Sequence, residues 1–191
     1  MLSDRLRTDT RAAHRAAEAS PAMQALMAPG LTRDAYHDHL QGVARGLVPL
    51  EAGLVAVPGL PARVSALADR LHKRDWLAAD LATLGGAMPT AGPAPALSLA
   101  EALGTLYVLE GATLGGRIIE KHLARTLGLA PDTGARYYHA YGEARGPMWV
   151  ALRDALDAFG AEQPHQADAV VQAADAAFGA LAAALAEPAA P

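Results

Sequence analysis

His14 is the residue whose surroundings point most directly at chemistry in this 191-residue chain. A helix is predicted over about Ser3 to Ala19, with Ser3 or Asp4 as its N-cap and Leu6, Thr10, Ala13, His14 and Ala17 as its inner stripe. The small neighbours Ala12, Ala13, Ala16 and Ala17 leave room above the imidazole for a bulky object. Glu18, one turn on, could accept a hydrogen bond from one ring nitrogen and fix the tautomer, as metal-ligating histidines require. The alternative is a half-buried histidine satisfied by the backbone or by Glu18. Arg7, Arg11 and Arg15, spaced by four, form a ridge on the same helix, with Arg7 and Arg11 nearly in line with His14. Cations there could hold the carboxylates of a ligand coordinated by the histidine. They could equally form a solvated face paired with Asp4 or Asp9.

A second cluster is made of residues without side chains. The stretch Tyr107-Val108-Leu109-Glu110-Gly111-Ala112-Thr113-Leu114-Gly115-Gly116-Arg117 places three glycines inside one predicted helix. Each costs roughly 1 kcal/mol relative to alanine there, and alanine is used freely elsewhere. Gly111 and Gly115 share a face, one turn apart. Such a face admits either a closely packed helix or a planar ligand. The remaining histidines form no convincing site. His37 and His39 point to different sides of their helix, His122 sits at the polar end of the glycine helix, and His72, His139 and His165 read as surface or boundary residues. No phosphate loop, nucleophile elbow or zinc-protease helix is present, and the inward glutamates of a di-iron bundle are missing.

The elements that must position these residues are helices. The chain is 52% hydrophobic but only 5% aromatic, dominated by alanine and leucine, with no cysteine and a net charge of −4. Disulfides and thiolate sites are excluded, and no field favours nucleic acid or an anionic membrane. The N-terminus reads as a helix start rather than a secretory signal, and no apolar run is read as long enough to span a bilayer, so a cytoplasmic protein is expected. Further helices are predicted from Pro21 to Met27, Arg33 to about Val57, Pro61 to about His72, Arg74 to Leu84, Ser98 to Leu127, Pro147 to Phe159, and Gln166 to Glu187. The helix over 33–57 is expected to bend at Gly46 and Pro49. Ser98 and Glu101 form a capping box, Gly128 a stop, and Gly85 to Ala96 a loop. The expected architecture is all-α, a helical bundle over residues 1–187 with a frayed tail at 188–191.

Leu6 to Glu18 resembles the proximal helix of the haem oxygenases. Leu31-Thr32-Arg33-Asp34-Ala35-Tyr36, followed by Pro49-Leu50-Glu51, resembles that family's second segment, and Tyr107 to Arg117 its distal helix, in the bacteriophytochrome-associated bacterial branch. The resemblance implies haem b as substrate and cofactor, held between the two helices with His14 as iron ligand and Glu18 supporting it. Arg7 and Arg11 would face the propionates, with Arg117 near the haem edge, while Gly111, Gly115 and Gly116 would form the distal wall. Biliverdin, carbon monoxide and ferrous iron would be the products. The reaction would use O2 and electrons from a ferredoxin- or flavodoxin-type reductase, and a bacteriophytochrome would be a possible acceptor of the biliverdin. One departure stands out: the aspartate that follows the first distal glycine in the mammalian pattern is Ala112 here, leaving Thr113, Glu110 and Arg117 as nearby polar candidates. A haem-binding or haem-sensing relative without efficient turnover is therefore the competing expectation. A helical packing module without cofactor is the third.

Overall fold

The computed structural model describes residues 1–187; the tail expected at 188–191 lies outside the described residues. Helix α1 (Leu2–Asp9) is followed by α2 (Arg11–Glu18), α3 (Pro21–Leu26), the long α4 (Arg33–Val55), and two single turns, α5 (Leu60–Arg63) and α6 (Leu67–Arg70). Then come α7 (Lys73–Thr83), α8 (Leu99–Leu127), the short α9 (Arg136–His139), α10 (Arg145–Glu162) and α11 (Ala167–Ala186). No strand occurs among the described residues, so the all-α expectation holds.

The local signals explain most boundaries. Ser20 accepts a hydrogen bond from the Met23 amide and Pro21 takes the first position of α3. Thr32 caps α4 through the Ala35 amide, and Ser98 and Glu101 make the reciprocal box that opens α8. Gly128, at φ +66°, ends α8 in the left-handed conformation glycine adopts at low cost. α4 runs unbroken through Pro49.

Two expected helices are divided. The proximal helix stops at Thr10 (φ −89°, ψ 5°), whose hydroxyl donates to the Leu6 carbonyl while the side chain is buried. Its start also differs. Ser3 caps nothing; its amide and hydroxyl bind the Asp157 carboxylate on α10, seating α1 in the core together with Leu2 and Leu6. The helix expected over 61–72 becomes α5 and α6, separated by Ala66 at φ +51°.

The core sits where α8 crosses the molecule, with α11 and α4 packed along it and α10 and α9 on its other sides. Gly104 lets α11 approach so closely that a Cβ there would collide with the Val170 carbonyl. By length and composition, 164–186 is apolar enough to cross a membrane, at a mean hydropathy of 1.6, contrary to the sequence reading. The hydropathy comes largely from alanine, and the segment lies along α8 and α4.

Candidate functional site

α2 is the helix that carries His14, and none of its residues is buried. Leu6 and Thr10 of the expected inner stripe are inside, whereas Ala13 and Ala17 are half-buried and the His14 side chain is 57% exposed. The His14 Nδ1 lies 3.4 Å from the Glu18 carboxylate, one turn on along the same helix. Phe178 of α11 meets the imidazole edge-on at 5.8 Å and limits its swing on one side. Arg7 comes within 4.0 Å of Asp4 at the surface, whereas Arg11, Arg15 and Arg117 are exposed and form no ion pair among the described residues.

The second wall is the middle of α8. Residues 102–110 are buried without interruption, and exposure begins at Gly111. The three glycines do different work. A Cβ on Gly115 would meet nothing within 4 Å, so this glycine faces open space. One on Gly111 would lie 3.7 Å from the Trp149 ring, an ordinary contact. One on Gly116 would stand 2.9 Å from the Tyr138 carbonyl, so Gly116 admits α9 rather than the open side. Thr113 also turns from Gly111 and Gly115, donating its hydroxyl to the Glu110 carbonyl.

Tyr107 stands one turn before Gly111. Burial pushes its phenol pKa up, opposed by the neighbouring Thr10 hydroxyl and the cations of Arg7 and Arg153. Its ring lies 5.4 Å from that of Trp149. Tyr107, Trp149 and Arg153 thus gather beside the proximal helix. Of these, Trp149 and Arg153 carried no sequence signal beyond an ordinary amphipathic helix.

Behind α8 lies a buried ionic cluster that sequence reasoning missed. Glu110 accepts from Arg70 Nη1 at 2.5 Å, from Lys73 Nζ at 2.6 Å and from the Tyr141 hydroxyl at 2.7 Å. Arg70, Lys73 and Glu110 are each at most 1% exposed. Arg70 also bonds the carbonyls of Ser65 and Met148, and Glu51 caps α7 by accepting from the Lys73 and Arg74 amides. Burial, reinforced by Glu110, drives the Tyr141 phenol well above its ordinary range, so it stays a donor. His72 reads as a surface or boundary residue and Arg74 as a helix start; only pairing across the fold reveals that Lys73 meets Glu110.

α9 is held against the same wall. Asp80 accepts from the Arg136 and Tyr137 amides at the start of α9, while Arg145 binds Glu120 and the carbonyls of Tyr138 and His139. Tyr138 and His39 Nε2 are 2.5 Å apart; burial raises the phenol pKa and lowers the imidazole to about 4, so the neutral tyrosine donates to the neutral histidine. His37 lies instead against Gly86, so the two histidines do not share a site.

Comparison with known proteins identifies the family and the fold. The family model described as Heme oxygenase matches residues 1–187. The chain belongs to the haem oxygenase family. A haem oxygenase from Neisseria meningitidis, solved in NO- and CO-bound forms, superposes with a TM-score of 0.82 at 24% identity, covering 100% of this chain and 94% of that one. The Leptospira interrogans enzyme gives 0.74 at 20% identity, covering 96% and 98%. Haem oxygenase-1 of the cyanobacterium Synechocystis, solved in complex with haem, gives 0.72 at 16%, covering 96% and 90%. These likenesses establish the shared fold. A comparison with curated proteins returns no match.

Proposed function

We propose that residues 1–187 form one haem oxygenase domain that cleaves haem to biliverdin, carbon monoxide and ferrous iron. The observation that carries this is an imidazole beside Glu18 on a helix with no buried residue, in a chain whose α8 also carries an open face at Gly115. An eight-residue helix with nothing buried gains little from the protein alone, so a ligand accounts for its alanine face. The residues fit haem b, which is flat and apolar with two carboxylates at one edge. His14 would hold the iron, with Glu18 fixing the ring; Arg7, Arg11 and Arg117 would serve the propionates.

When bound, haem supplies the redox chemistry, reacting with O2 under electrons from a ferredoxin- or flavodoxin-type reductase. The chain's own work is geometric. Gly115 leaves the space beside α8 unobstructed, and Tyr107 and Trp149 pack against each other near Gly111. Thr113 holds its hydroxyl on the Glu110 carbonyl, fixing the backbone where the open segment begins. Cytoplasmic biliverdin supply to a bacteriophytochrome is part of this proposal and rests on the likeness of Tyr107 to Arg117.

The test is haemin titration followed by turnover. Wild-type protein is expected to bind haemin one-to-one with a sharp Soret band, and His14→Ala to lose or change it. An unchanged spectrum in the variant removes His14 as ligand. Reduction with a ferredoxin system should yield biliverdin and carbon monoxide; stable ferrous haem instead would make the chain a haem-binding or haem-sensing relative.

A further inference from the structure

We propose that the outer face of α8 around Ile118, Lys121 and Arg125 is the docking surface for a small acidic electron-transfer protein. This deepens the oxygenase reading above and rests on it, since that reaction needs electrons from outside the chain.

Beyond Gly116 the helix has two sides. Ile119, His122 and Leu123 are buried, whereas Leu114, Arg117, Ile118, Lys121 and Arg125 are exposed. At 3.6 residues per turn these five fall within about 100° of arc, so they form one stripe. Ile118 is 67% exposed and Leu114 39%, one turn apart on the same side. A single aliphatic side chain in water is ordinary. Two stacked together and flanked by cations have the layout of an apolar interface centre with a polar rim.

The charges of the stripe are unmatched. Arg70, Lys73 and Arg145, which are buried, each hold a carboxylate. Arg117, Lys121 and Arg125 form no ion pair among the described residues, and Arg125 meets only the His122 imidazole, at 3.3 Å. Glu120, the one acid of α8 beyond Glu110, is spent on His139 and Arg145. The whole chain carries a net charge of −4, so this stripe is a local exception. An acidic partner repelled by the molecule at large is drawn to this side.

Position and size decide the occupant. Gly115, which faces open space, borders the stripe, and Ile118 lies about 4.5 Å of helix rise beyond it. A carrier seated on Ile118 stands beside the face that the oxygenase reading gives to haem. From Leu114 to Arg125 the stripe is roughly 16 Å long. That suits the small, short-lived contacts of electron-transfer partners rather than a permanent interface.

Lys121 makes the test direct, because the chain has two lysines and the other, Lys73, is buried. A carbodiimide joins an amine to a carboxylate held against it. Mixed with an acidic [2Fe–2S] ferredoxin at low salt, the haem-free protein should give a one-to-one adduct linked through Lys121. The adduct should vanish near 1 M salt, where the Debye length is about 3 Å. An adduct through the Met1 amine alone, or none at low salt, overturns the proposal. So does a Lys121-linked dimer formed without ferredoxin, which assigns the face to a second copy. In turnover, Lys121→Glu with Arg125→Glu should raise the KM for ferredoxin about 10-fold and leave haemin affinity and kcat as in wild type. An unchanged KM also overturns the docking face. Wild-type protein that fails to bind haemin overturns the oxygenase reading instead, a result kept apart because the cross-link is read without haem.

Discussion

The two helices that carry the candidate site, α2 and α8, are stabilised in opposite ways. α2 buries none of its residues and shows an alanine face with a half-exposed histidine. α8 is buried continuously up to Glu110, where two cations and a phenol hold it from behind. α8 is thus held by the protein alone, whereas α2, on the proposed reading, is left for haem to complete. The contrast reflects what each must do. A face that approaches a flat ligand without side chains needs its backbone fixed, whereas a helix that supplies a metal ligand can adjust to it.

The contrast is broken most severely at Glu110. Glu110→Ala would leave Arg70 and Lys73 buried without their carboxylate and should cost about 3–5 kcal/mol in urea or guanidinium unfolding. A loss near zero would show that the cluster does not anchor the wall. Next is acid. His39 is held neutral by burial, with a folded pKa of about 4 against 6.5 in the unfolded chain. The unfolded state therefore takes up the proton first as pH falls, so this contribution is full above about pH 6.5 and is lost progressively down to about pH 4. The whole span is worth about 3 kcal/mol. The slope between those pH values should flatten in His39→Gln, which a pH series of unfolding midpoints would read.

The glycines sharpen the comparison within one helix. Gly116→Ala drives a methyl onto the Tyr138 carbonyl and should destabilise by about 1–3 kcal/mol. Gly115→Ala meets nothing and should stabilise the ligand-free protein by up to about 1 kcal/mol while weakening haemin binding. Thermal unfolding with and without haemin separates the two. If Gly115→Ala binds haemin as wild type does, that face is not a ligand wall. The smallest stability effect belongs to His14→Ala, within about 0.5 kcal/mol of wild type without haemin because the side chain is largely exposed.

Much of this was legible because local signals are strong. Caps at Ser20, Thr32 and Ser98 and the stop at Gly128 set helix ends from within a few residues. The proximal and distal segments stood out because histidine among alanines and glycine inside a helix both violate ordinary usage. Long-range pairing was invisible. Nothing near Lys73 reveals that Glu110 waits 37 residues away, and Ser3, which looks like a cap, serves Asp157 instead. The division at Thr10 was also hidden, since a threonine in mid-helix interrupts nothing until its hydroxyl binds the preceding turn. Gly116 was read as part of the ligand wall because glycine spacing cannot say which neighbour comes close; the structure turns it to α9.

The turn at Thr10 has a consequence for how α2 can move. α1 is tied down through Leu2, Leu6 and the Ser3–Asp157 bonds, while α2 begins afresh beyond the turn with no core residues of its own. Displacing α2 therefore disturbs eight residues and none of the core. On the proposed oxygenase reading, product departure would be a local opening that leaves the rest of the fold in place.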